Sequence, residues 1–118
     1  MPGSGYHTIT PRIVVSDVAA QVEFFRTVFG ASGTVTEGRP TEVVIGDSLV
    51  MISADTERAR FPAFLYIYVG NADEAYQRAL AAGASSIEPP LVTPYGDRRA
   101  MVCDPFGNVL QIAHRNIA

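Results

Sequence analysis

One cysteine, no tryptophan and two histidines among 118 residues leave little catalytic or redox chemistry to distribute. Cys103 alone cannot form an internal disulfide, which fits a reducing compartment. It falls in an apolar run, where a buried structural thiol is expected rather than a nucleophile. Charged residues make up 18% of the chain and the formal net charge is −3. With no basic surplus, neither nucleic acid nor an anionic membrane is expected as a partner. No apolar run approaches the roughly 20 residues of a membrane-spanning helix. The start, Met1-Pro2-Gly3-Ser4-Gly5, lacks the basic and apolar segments of a signal peptide and reads as a loose leader through Tyr6. A cytoplasmic protein is therefore expected. No Ser-His-Asp order and no nucleophile elbow appear, and Gly3 and Gly5 of the leader form no glycine-rich phosphate loop.

What is present is ordinary globular composition, with 47% apolar residues. A chain of this length is one domain's worth and can bury about two-thirds of its unfolded surface. Thr8 to Val15 reads as a strand, with Pro11 marking an edge or bulge. Asp17 caps a helix carrying Val18, Val22, Phe25 and Phe29 at helical spacing, and Gly30 ends it. Ser32 to Glu37, Thr41 to Ile45 and Ser48 to Ser53 read as strands, followed by a charged linker from Ala54. The pattern then restarts. Phe64 to Val69 is a strand. Asn71 caps a second helix with Glu74 three residues on, as in a capping box, and Gly83 ends it. Ser85 to Ile87 begins a strand, and a hairpin closes the chain through Asp104-Pro105-Phe106-Gly107-Asn108, where Pro105 fixes φ and Gly107 and Asn108 tolerate positive φ.

This is an internal repeat: strand, helix, then three strands, twice. Module 1 runs from about 7 to 55, a linker from about 54 to 62, and module 2 from about 63 to 115, all within one domain over 1–118. A helix covers one face of each sheet; the other face must be covered by another module or line a cavity. The expected class is α+β, with two βαβββ modules forming curved mixed sheets around a cavity.

The order of elements resembles the vicinal oxygen chelate superfamily, which includes glyoxalase I, extradiol dioxygenases and bleomycin-resistance proteins. The segments Tyr6–Pro11, Val43–Ser48, Leu65–Val69, Ala81–Ala84 and Tyr95–Arg98 look like those of its PhnB-like branch. The resemblance implies a glyoxalase-like fold and a pocket. Metal-dependent members hold a divalent ion with His, Glu or Gln from the first and last strands of each half. Matched by their neighbours, those positions here are Thr10, Met51, Phe64 and Gln111, of which only Gln111 could donate usefully to a hard ion. No metal or other cofactor is therefore expected. His7, in the leader, and His114, on the face opposite Gln111, are read as surface residues.

Strand parity sorts the remaining pocket residues. Thr10 brings Arg12 and Val14, Phe64 brings Tyr66 and Tyr68, Met51 brings Leu49, and Gln111 brings Val109 and Ala113. Glu42 and Val44 join them from the third strand. Arg12, Glu42, the tyrosine hydroxyls, Gln111 and Arg98 are the candidate polar anchors of a largely apolar cavity, a composition suited to a small organic ligand. Each has an alternative: Arg12 and Glu42 pairing together, Arg98 bracing its turn through Asp97 or Asp104, Tyr66 and Tyr68 lying in a dimer interface. The expected function is metal-free binding of a small organic molecule, with drug sequestration as the precedent in the resembled family and a homodimer as the assembly. Lack of tryptophan departs from the stacking residues of bleomycin binders. The alternatives are a metal-dependent lyase, isomerase or dioxygenase with ligands elsewhere, or a dimer whose cavity its own side chains fill.

Overall fold

The computed structural model describes residues 7–56 and 58–116. The leader through Tyr6 lies outside the described residues. The chain divides into two compact units, Met1–Pro62 and Ala63–Ala118.

The first unit holds β1 (Arg12–Val15), α1 (Val18–Phe29), β2 (Thr41–Ile45) and β3 (Ser48–Ala54). Its sheet has the order β1-β3-β2, with β1 parallel and β2 antiparallel to β3. Asp17 caps α1, its carboxylate accepting from the Ala20 N–H at 3.0 Å. Gly30 stops it in the left-handed conformation, φ 67°, donating to the Arg26 carbonyl. Ile13, Val15, Thr41, Val43, Val50 and Ile52 point to the helix side and are buried there with Val22, Phe25 and Val28. Burial of each large aliphatic side chain contributes roughly 1.5–3 kcal/mol, so this layer holds the unit together.

Two expectations of this unit change. The first strand begins at Arg12, not Thr8, because Pro11 has no N–H to enter the ladder; its carbonyl instead accepts from the Met51 N–H at 2.8 Å. The strand expected over Ser32–Glu37 is reduced to one bridge, Ser32 to Val44. Gly33 explains why. Its φ of +146° breaks the extended path, and an added Cβ would lie 2.5 Å from the Glu42 carbonyl oxygen. Gly33→Ala is therefore expected to cost about 1–3 kcal/mol, read as a lower urea midpoint. An unchanged midpoint would show that the approach to β2 is not tight.

The second unit has the complete repeat: β4 (Phe64–Tyr68), α2 (Ala72–Ala81), β5 (Ser85–Val92), β6 (Asp97–Cys103) and β7 (Val109–Arg115), in the sheet order β4-β7-β6-β5. Asn71 caps α2 through the Glu74 N–H at 3.0 Å. His114 adds a second cap, its Nδ1 accepting from the Ala72 N–H at 2.8 Å, which corrects its reading as a plain surface residue. Leu110, Ile112, Ala100 and Val102 are fully buried on the helix side, with Ala72, Ala75 and Ala79 of α2. β5 extends past the expected Ile87, through Pro89 and Pro90 to Val92. It can do so because it is an edge strand whose register shifts twice against β6. In the closing turn only Gly107 takes positive φ. Asn108 stays in the ordinary region, held by Asp104, which accepts from the Phe106 and Asn108 N–H groups at 2.9 Å.

Candidate functional site

The face of the second sheet away from α2 is built from odd and even registers that strand pairing makes explicit. Tyr66 of β4 lies beside Gln111 of β7, which faces Met101 of β6, which faces Glu88 of β5. The next row is Tyr68, Ala113, Arg99 and Leu91, and beyond it Asp97 pairs with Arg115. Side chains two apart on a strand share a face, so Phe64, Tyr66 and Tyr68 stand together. The Tyr66 and Tyr68 rings are tilted, with centroids 5.4 Å apart.

Asp97 is the hub. Its side chain is fully buried, yet both tyrosine hydroxyls donate to its Oδ2 at 2.7 Å. Arg115 Nη1 lies 3.1 Å from Oδ1 as an ion pair, without the alignment of a hydrogen bond. The Tyr95 hydroxyl is 3.2 Å from that of Tyr66, and Arg99 reaches Tyr95 at 3.5 Å and pairs with Glu88. Since Tyr66 gives its one proton to Asp97, Tyr95 is the donor between the two phenols. The turn that presents Asp97 is itself fixed: the Thr93 N–H and hydroxyl both donate to the Asp97 carbonyl, at 2.7 and 3.0 Å, and the Asp97 N–H donates back to Thr93 Oγ1 at 2.9 Å. Gly96, at φ 91°, closes the turn and leaves Tyr95 exposed at its tip.

These contacts set the ionisation of the cluster. The Tyr66 hydrogen bond first, and that of Tyr68 with the Arg115 charge after it, hold the Asp97 carboxyl below the usual carboxylate range, against the opposing effect of burial. Tyr66 is shifted well up, by burial first and then by its hydrogen bonds to Tyr95 and Asp97. Tyr68 is shifted up chiefly by its hydrogen bond to Asp97. The result is an ionised carboxylate ringed by neutral phenols. On this face the buried Arg99 Nε has no hydrogen-bond acceptor, and Asp97 Oδ1 meets only the Arg115 ion pair.

The sequence-predicted residues fall in three places. Phe64, Tyr66, Tyr68 and Gln111 share the face just described, with Phe64 68% exposed. Arg12, Met51 and Glu42 form one row across the first sheet, on the face away from α1, and half-buried Thr10 lies just before β1. Arg12 does not pair with Glu42; its Nε donates to Ser53 Oγ at 2.9 Å. Arg98 stands apart from the rest. It points to the helix side, where it grips Asp73 of α2 through two hydrogen bonds of 2.8 and 3.1 Å, rather than bracing its turn through Asp97 or Asp104. That grip lowers the Asp73 carboxyl and raises the Arg98 guanidinium. Sequence reasoning missed the hub role of Asp97 and the places of Tyr95, Arg99, Glu88 and Arg115. Carrying parity across the hairpin from Gln111 to Met101 would have put Asp97 and Arg99 on the tyrosine face.

Of the residues that the resemblance matches to metal-ligand positions, Thr10, Met51, Phe64 and Gln111, only Gln111 carries an amide oxygen. Among the described residues no group of three His, Cys, Asp or Glu side chains is placed to hold a metal.

Sheets sealed on one face by a helix, in this order of elements, make the chain an α+β protein of the glyoxalase type. The chain belongs to the Glyoxalase/Bleomycin resistance protein/Dioxygenase superfamily, whose family model matches residues 6–112. It is similar in structure to TioX from Micromonospora sp. ML1, with a TM-score of 0.78 and 21% identity, covering 94% of this chain and 99% of that one. It is likewise similar to a glyoxalase/bleomycin resistance protein/dioxygenase family enzyme from Burkholderia phytofirmans PsJN, with a TM-score of 0.77 and 24% identity, covering 90% and 96%. In sequence it is 28% identical to Rv0887c of Mycobacterium tuberculosis, over 85% of this chain and 69% of that protein.

Proposed function

We propose that this protein binds a small organic molecule, without a metal, against the tyrosine face of its second unit. The observation that carries the reading is the Tyr66–Tyr68–Tyr95 cluster around Asp97, with the buried Arg99 Nε left without an acceptor beside exposed aromatic rings. Aromatic surface gives a flat ligand its contact area, and few convergent polar atoms fix its orientation. Gln111 lies in the Tyr66 row and supplies a further amide. Thr10, Arg12, Glu42 and Met51 are proposed as ligand contacts on the first unit's own sheet face, apart from the tyrosine cluster. Arg98 is left out of the contact set because Asp73 occupies it. Within the superfamily we place the chain in the PhnB-like branch, on the Tyr95-Gly96-Asp97-Arg98 and Leu65–Val69 segments. Sequestration of a drug-like compound in the cytoplasm is the role this reading supports. A homodimer is the proposed assembly, since Phe64 and Tyr68, 68% and 57% exposed, leave apolar surface that a second copy would cover. Sedimentation at micromolar protein that finds only monomer would remove that last element.

The test uses the absence of tryptophan. All intrinsic emission comes from five tyrosines, three of them in this cluster. A panel of small aromatic and cationic compounds is expected to contain members that raise the melting temperature and change tyrosine emission together. Tyr66→Phe should weaken such binding by about tenfold, because the hydroxyl that holds Asp97 and Tyr95 in place is lost. Ni, Mn, Fe(II) and Zn at low micromolar concentration are expected to leave the melting temperature unchanged. A rise with any of them would move the metal-dependent lyase, isomerase or dioxygenase reading to first place.

A further inference from the structure

The nine cationic side chains of this chain are all arginine. Arg26, Arg98, Arg99 and Arg115 each lie against a carboxylate, those of Glu23, Asp73, Glu88 and Asp97. Arg12, Arg39 and Arg58 have no carboxylate within ion-pair distance among the described residues, and all three line one groove of the first unit, about 610 Å³ in volume. Among the described residues one carboxylate, Glu37, lines it too, so three positive charges oppose one negative there. That local surplus runs against a chain whose net charge is −3. Like charges are not gathered by folding alone, since each repels the others.

The groove is also built. Arg12 donates through Nε to Ser53 Oγ at 2.9 Å, which fixes the guanidinium plane and leaves both Nη groups to fork toward an oxyanion. The loop carrying Arg39 is pinned at its base, where the Thr36 N–H donates to the buried Thr41 hydroxyl at 3.0 Å. Val18, Val35 and Ile52 add apolar wall. A bare inorganic ion would fill a small part of such a space; the volume suits a molecule with an organic body.

We propose that this groove binds the oxyanion end of a small organic molecule, a carboxylate or phosphate monoester, through Arg12, Arg39 and Arg58. The site lies within the first unit, and the tyrosine cluster lies in the second. Isothermal titration calorimetry of the full chain with phenyl phosphate, benzoate and benzyl alcohol tests it at fixed ionic strength. The two anions are expected to bind and the alcohol not, and added salt should weaken both anions. Which anion binds more tightly decides between phosphate and carboxylate chemistry. Arg39→Gln and Arg58→Gln, both on exposed loops, should each lower anion affinity roughly tenfold while leaving the melting temperature in place. Tyr66→Phe should leave anion affinity unchanged, which separates this site from the tyrosine cluster. The proposal is overturned by equal binding of the alcohol, by anion affinity that survives both arginine variants, or by dissociation constants weaker than about 1 mM for every probe.

Discussion

Replacing Asp104 by alanine is expected to destabilise the protein by about 3–5 kcal/mol, the largest loss from any single polar side chain here. The carboxylate is 3% exposed and sits at the centre of the closing turn. It accepts from the backbone N–H groups of Phe106 and Asn108 and from the Asn108 amide, each at 2.9 Å. Removing it takes one acceptor from all three donors, and a buried donor that loses its acceptor costs about 1–3 kcal/mol. The damage spreads because Asn108 works in both directions: its Oδ1 accepts from the Ala63 N–H at 2.9 Å and so fixes the approach to β4. Urea unfolding of Asp104→Ala should show a sharply reduced midpoint, while Asp104→Asn, which keeps the acceptor geometry for the backbone, should lose less. Equal losses in the two variants would show that charge, not geometry, is what the turn requires.

That turn was legible in the sequence for local reasons. Proline, glycine and aspartate within five residues narrow the backbone to few shapes. The helices were legible for the same kind of reason, through Asp17, Gly30 and Asn71 at their ends. The helix-side residues were legible as well: Ile13, Val43, Ile52, Leu110 and Ile112 are buried there, although Val14, Leu49 and Ala113 on the opposite faces are buried too.

What failed to show was non-local. Ser32–Glu37 has strand composition, yet its pairing ends at Ser32 because Gly33 adopts a φ that composition does not reveal. Arg98 and Arg99 are adjacent and chemically identical, so only the β6–β7 register tells which one meets Asp73 and which one meets Glu88. Tyr95 and Tyr66 are 29 residues apart and meet because the Thr93–Asp97 turn folds one hydroxyl over the other. Their partnership is a property of the folded turn, and no spacing rule encodes it.

The same register makes the tyrosines of the cluster titrate unequally once Asp97 loses its charge. In the native protein the Asp97 carboxyl is held low and the Tyr66 and Tyr68 phenols high. A carboxyl with a lowered folded pKa contributes stability that is present above about pH 4 and is lost as pH falls through the folded value. Phenols with raised folded pKa values contribute stability that is present below about pH 10 and is lost as pH rises toward the folded values. The cluster therefore favours folding across the neutral range and weakens at both extremes. Asp97→Asn removes the charge and sets an amide donor against Arg115, so it should flatten the acid limb of stability against pH. Its effect on the phenols should differ. Tyr68 is raised first by its bond to Asp97, so its titration should fall most of the way to that of an exposed tyrosine. Tyr66 is raised first by burial, so it should stay high. Rapid pH-jump absorbance near 295 nm reads phenolate formation before alkaline unfolding. One fewer late-titrating tyrosine in Asp97→Asn than in the native protein is the expected result. If the late titration is the same in the native protein and in Asp97→Asn, the cluster does not hold its protons through Asp97, and the polar half of the proposed site loses its basis.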